Sequence, residues 1–139
     1  MSLEDKLLSK IVSTFRNTYP ETKGQLFHVS NERSNQKQAL FFQSKGGVPG
    51  VSDLIYFYLG ALGIRVLGLE VKRFDSYHEV YKIERQVAWG ELLESKGGSW
   101  RLVRSLEEAI SCLEGNLVGL TTKDVRKMLE NCKTKSMQF

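Results

Sequence analysis

Cysteine is scarce: Cys112 and Cys132 are the only two in 139 residues. That excludes a disulfide scaffold, and the expectation is two reduced thiols in an intracellular, cytoplasmic protein. The two histidines, His28 and His78, are not spaced to make a zinc site with them. Proline is equally rare, at 2 residues, while 41% of the chain is hydrophobic. Collagen-like, low-complexity and disordered classes are thereby excluded. No apolar run approaches the ~18 residues of a membrane helix, so no membrane partner is expected. The start, Met1-Ser2-Leu3-Glu4-Asp5, has no basic region followed by an apolar one, so no signal peptide is expected.

What is present suffices for one domain. A chain of this length buries roughly two-thirds of its unfolded surface, enough for a core without staples. Twenty Lys and Arg against 16 Asp and Glu give a net charge of +4. That excess is compatible with a polyanionic partner and does not establish one. There is no internal repeat and no linker long enough to separate domains.

The patterning predicts an amphipathic helix over 2–16, capped by Ser2 with Asp5 three residues on and carrying Leu3, Leu7, Leu8, Ile11, Val12 and Phe15. Tyr19-Pro20 closes it. A short strand follows over 26–29, then a polar arm over 31–35 and a short helix or irregular segment over 36–44. Two strand-like runs, 51–59 and 64–72, flank Gly60-Ala61-Leu62-Gly63. Both are apolar on both faces, which predicts a hairpin covered on both sides. A helix over 79–96 is expected to turn Val80, Ile83, Val87, Leu92 and Leu93 inward, ending at Gly97-Gly98. A strand over 100–103, a helix opened by the capping box Ser105 to Glu108, and a last helix over 122–132 complete the order. Residues 133–139 read as a frayed basic tail. The sum is one α/β domain with a mixed sheet.

The chemistry lies in the hairpin. With a loop over 60–63, residue i faces residue 123 − i, so Leu59 faces Ile64 and Asp53 faces Glu70. Opposed like charges in a sheet are unfavourable by up to ~1 kcal/mol, more if buried. A cation between them removes the penalty, and oxygen ligands favour Mg²⁺ or Mn²⁺. Lys72, two residues after Glu70, points to the same face. Val71 turns its side chain inward while its carbonyl can reach a metal at the strand end. In an exposed strand Glu70 and Lys72 would be an ordinary ion pair. Here Leu54-Ile55 and Leu67-Gly68-Leu69 flank the acids, and charges embedded among apolar residues need a reason. Two acids, a metal and an ammonium are the parts of metal-assisted phosphodiester hydrolysis.

Gly50-Val51-Ser52-Asp53-Leu54-Ile55, then Gly68-Leu69-Glu70-Val71-Lys72, then Gln86-Val87-Ala88-Trp89 resemble the VRR-NUC family of PD-(D/E)XK nucleases. The family pattern runs G-x-P-D-L, E-x-K and Q-x-x-W, and the match spans roughly residues 25–113. The family's proline before the first acid is Ser52 here. The resemblance implies a restriction-endonuclease-like α/β core: a mixed central sheet, a hairpin bearing the active site, and flanking helices. It implies a nuclease domain over 1–113; residues 114–139 lie outside the match and are expected to form a helical extension and basic tail of the same domain, as a contact for a partner copy or DNA. Asp53 and Glu70 match the metal-binding acids, Lys72 the catalytic lysine, and Gln86 the glutamine on the next helix. Glu4 matches an acid in the first helix that often completes such sites. Small stand-alone members are typical of phages, resemble nucleases of branched DNA such as flaps and four-way junctions, and tend to be homodimers. The implied activity is Mg²⁺- or Mn²⁺-dependent DNA endonuclease with no small-molecule cofactor. The competing reading is a catalytically silent DNA-binding or assembly module on the same fold, and an RNA-directed nuclease stays open.

Backbone grip is expected from Arg33 and Lys37 of the polar stretch 31–38, from Lys45, and from Arg73 beside the E-x-K. His28 and His78 read as structural and loop histidines, and Trp89, Tyr56, Phe57 and Tyr58 as packing residues.

Overall fold

The computed structural model describes residues 2–29, 36–73 and 80–137. The first helix, α1 (Leu3–Thr18), opens on a reciprocal cap: the Asp5 N–H donates to Ser2 Oγ, and the Ser2 N–H to the Asp5 carboxylate. It ends at Tyr19, and a single 3₁₀ turn over Pro20–Thr22 leads into β1 (Leu26–His28). Next come the helix α2 (Gln36–Ser44), the hairpin β2 (Leu54–Gly60) and β3 (Gly63–Val71), α3 (Val80–Ser95), β4 (Ser99–Val103), α4 (Leu106–Leu113) and α5 (Thr122–Met137). The order of elements is the one the sequence predicts. Among the described residues no helix is long and apolar enough to cross a membrane. The polar arm with Arg33, the stretch 74–79 with His78, and the side chain of Val80 lie outside the described residues.

The sheet runs β1-β2-β3-β4, antiparallel except for the β3–β4 pair, which is parallel because α3 carries the chain back across. One face is covered by α1 and α4: Ile11, Phe15, Leu54, Leu69, Val103 and Leu113 belong to one buried cluster. The other is covered by α3 and α5, with Ile83, Val87, Trp100, Leu102, Val125 and Leu129. Such a mixed sheet between helix layers is an α/β architecture. Residues 114–137 therefore contribute to the core through Val125 and Leu129.

The hairpin register follows the 123 − i rule from Leu54↔Leu69 to Leu59↔Ile64. Pairing continues one step further, to Gly60↔Gly63, so the turn is Ala61-Leu62 rather than four residues. A two-residue turn matches the twist of the strands it joins. The expectation of cover on both faces fails at the tip: Leu59 is 82%, Leu62 100% and Ile64 74% exposed. The reason is strand length. β1 pairs only with Leu54–Tyr56 and β4 only with Leu67–Val71, so the outer half of the hairpin extends beyond its neighbours.

Three further details differ from the sequence reading. Leu92 is 54% exposed instead of inward. The inner line of α3 passes through Ile83, Val87 and Gly90, and a Cβ on Gly90 would collide with the Trp100 ring at 2.6 Å. The Ser105 cap accepts from the Glu108 N–H, but the Glu108 carboxylate returns to the N–H of Arg104, one residue earlier than a reciprocal box requires. The last helix runs on to Met137, past the end expected at Cys132. Thr121 and Asp124 cap its start reciprocally, Arg126 pairs with Glu91 of α3, and lysine favours helix in the final turns.

Candidate active site

The site forms where the hairpin leaves the sheet. The β2–β3 ladder stops at Leu54↔Leu69, and Asp53 lies one residue beyond it. Three hydrogen bonds tie Asp53 down. Its Oδ2 accepts from the Val71 N–H at 2.8 Å. Its carbonyl oxygen accepts from the Val29 N–H at 2.9 Å and from His28 Nδ1 at 2.8 Å. Because a carbonyl only accepts, His28 carries its proton on Nδ1. β1 thus holds Asp53 from one side and β3 from the other. On the far side of β3, the Lys72 N–H donates to the Val103 carbonyl, extending the β4 pairing past the strand end.

Glu70 is fully buried, and neither carboxylate oxygen has a hydrogen-bond partner. The Lys72 ammonium is 3.5 Å from Glu70 Oε1 and 4.0 Å from Glu4 Oε1. Burial pushes the Glu70 carboxyl well above the usual range, the Asp53 charge pushes it further, and Lys72 opposes both. Strand alternation puts Glu70 on the same sheet face as Gly68. That face meets α3: a Cβ on Gly68 would lie 2.7 Å from Ser52 Oγ and 3.1 Å from the Trp89 ring. α3 also carries Gln86, half-buried, whose Oε1 is sealed from water without a donor.

Glu4, His28, Asp53, Val71 and Lys72 line a pocket of about 140 Å³ at this strand end. The capping pair of α1, Ser2 and Asp5, closes another wall. Of the sequence-predicted residues, Asp53, Val71, Lys72 and Glu4 line this pocket, whereas Glu70 does not and adjoins it through the Lys72 ammonium at 3.5 Å. Gln86 does not line this pocket. His28 does, although the sequence reads it as structural, because its approach to Asp53 depends on β1 pairing across a long connection. The expected backbone contacts lie apart from it: Lys37 lines a separate hollow on α2, and Lys45 Nζ lies 4.2 Å over the Phe41 ring. Arg73 follows Lys72 directly and is exposed.

Comparison with protein families, curated proteins and solved structures finds no match to this chain. What the site can do must be read from its donors. Among the described residues no group of three or more His, Cys, Asp and Glu side chains converges as a metal site. The oxygen set is the Asp53 and Glu70 carboxylates. Glu70 presents two buried acceptors without donors, beside a second carboxylate and with a single ammonium at 3.5 Å. A buried carboxylate left in that state is costly. A hard divalent cation suits such a set, since it takes oxygen ligands and offsets both negative charges. The residues present fit Mg²⁺ or Mn²⁺.

Proposed function

We propose that this chain is a divalent-metal-dependent DNA endonuclease of the VRR-NUC type, built on a restriction-endonuclease-like core. The observation that carries this reading is Glu70: fully buried, without a hydrogen bond at either oxygen, ion-paired to Lys72 at 3.5 Å and beside the Asp53 charge. A sheet designed only for stability would hold an apolar residue there. A binding surface for nucleic acid would likewise gain nothing from acids facing a phosphate.

In this reading Asp53, Glu70 and the Val71 carbonyl would hold Mg²⁺ or Mn²⁺, which would supply charge stabilisation and activate water. Val71 orients the Asp53 carboxylate, and Val29 and His28 fix its main-chain carbonyl, through the three bonds described. Lys72 orients the attacking water and offsets negative charge developing on the phosphoryl oxygens. Glu4 limits where that ammonium can go. Gln86 of α3 keeps the supporting role that the family resemblance implies, without a hydrogen bond to Glu70. Water adds to phosphorus, the bond to one ester oxygen breaks, and that oxygen leaves with a proton. Branched DNA is the preferred substrate and a homodimer the working form, since two symmetric sites suit two strands.

The test is a panel of labelled duplex, flap and four-way-junction DNA with Mg²⁺, Mn²⁺ or EDTA. Cleavage in either metal and none in EDTA is expected, and Asp53→Asn, Glu70→Gln and Lys72→Met should each abolish it. DNA retention without cleavage in both metals would favour a catalytically silent binding module. Variants that all cut as well as the wild type would end the mechanism.

A further inference from the structure

A second depression begins where the first ends. The pocket at the strand end and a larger open groove of about 670 Å³ share two lining residues, Leu8 and His28. From there the groove follows α1, which contributes Ser9, Ser13, Arg16 and Asn17 along one stripe. Lys23, just after the 3₁₀ turn, closes the far end. Beside the apolar Leu8, Val12 and Pro20, the lining holds two cations, two hydroxyls, an amide and an imidazole, and no carboxylate. Arg16 is anchored, with its Nη2 donating to the Leu26 carbonyl at 2.7 Å. Lys23 is exposed, and its ammonium has no ion pair or hydrogen bond among the described residues.

We infer that this groove carries the DNA strand away from the candidate active site, with Lys23 and Arg16 on its phosphates. The inference rests on the nuclease reading and extends it to a surface that the sequence did not single out. A polymer whose scissile phosphate occupies the 140 Å³ pocket must leave it somewhere, and the groove adjoins that pocket at Leu8 and His28. Hydroxyl, amide and cationic side chains are the groups that hold a nucleic-acid backbone in register. The length also fits. From Leu8 to Asn17 the helix rises about 14 Å, the span of about four nucleotides in a B-form strand.

The test is DNA affinity of the full chain in EDTA, read by fluorescence anisotropy across a salt series, so that it does not depend on cleavage. Lys23→Glu and Ser13→Glu each place a negative charge in the groove at exposed positions. Lys96→Glu makes the same change at the other end of the sheet, next to the start of β4. The expected result is a rise in Kd of about fivefold or more for both groove variants and little change for Lys96→Glu. Lys23→Glu should also lower the salt slope by about 1. If wild type cleaves DNA but both groove variants bind as tightly as it does, the groove is not the path and the nuclease reading stands. If wild type binds DNA through the groove yet cleaves nothing in Mg²⁺ or Mn²⁺, the groove stands and the nuclease reading fails. Equal weakening by all three variants, or weakening confined to an RNA duplex, overturns the groove.

Discussion

The two ends of the β2–β3 hairpin are written in similar residues and have opposite fates. At the inner end Leu54, Leu67 and Leu69 are buried, and a carboxylate is buried with them. At the outer end Leu59, Leu62 and Ile64 face solvent. The difference is made by neighbours. β1 and β4 flank only the inner rungs, and α1 and α3 cover only those. A strand's hydrophobicity therefore states what it tolerates, while its partners decide what it gets. The same enclosure that dries the inner end makes the Glu70 charge expensive there, and that expense is what the proposed function rests on.

The contrast can be broken most forcefully at the charges. Glu70→Gln or Lys72→Met should lower metal-dependent DNA cleavage by about 10³-fold or more, in the range seen when a transition-state contact is lost. Leu62→Ser at the tip should leave that rate unchanged, which single-turnover assays would show. Packing comes next. Leu69→Ala should destabilise by about 2–5 kcal/mol through the cavity it opens, measured by urea unfolding.

The buried carboxylate adds a pH effect of intermediate size. Its folded-state affinity for a proton is raised above the ordinary value of 4.5. Its contribution to stability is thus fully present below that value and lost as pH rises through the higher folded-state value. Metal-free protein should become less stable with rising pH above about 4.5. Glu70→Gln should flatten this slope and raise stability at neutral pH by about 1–3 kcal/mol. Mg²⁺ or Mn²⁺ should raise the wild-type Tm, more so at higher pH, and should do little for Glu70→Gln. Thermal melts over pH and metal would check all three. A Glu70→Gln protein less stable than wild type without metal would mean that Lys72 already compensates the charge. The smallest effect is expected outside: Leu62→Ala should change stability by within about 0.5 kcal/mol.

Much of the inner end was legible in residue order. The alternation rule and the short Gly60–Gly63 segment give the register, and with it the convergence of Asp53, Glu70 and Lys72. The caps at Ser2 and Ser105 were equally readable, because each involves residues three apart. His28 was not. Its bond to the Asp53 carbonyl needs β1 to pair with β2 across 25 intervening positions, and no local pattern specifies that register. Leu92 misled for a related reason: helical spacing allows it inward, but the inner line of α3 runs through Gly90, against the Trp100 ring, and Leu92 is 54% exposed. The groove along α1 was hidden too, since Arg16 and Lys23 belong to different elements and meet only once β1 docks beside α1.

Short-range geometry is therefore the sequence's own contribution: which segments coil, which extend, where helices start, and which hairpin residues share a face. These follow from steric rules that act over a few residues. Tertiary structure alone decided which apolar faces are dry, how strongly Glu70 holds its proton, and which side chains from distant segments stand around it. Burial and charge interaction depend on everything within several ångströms in space, and the chain order does not contain that distance.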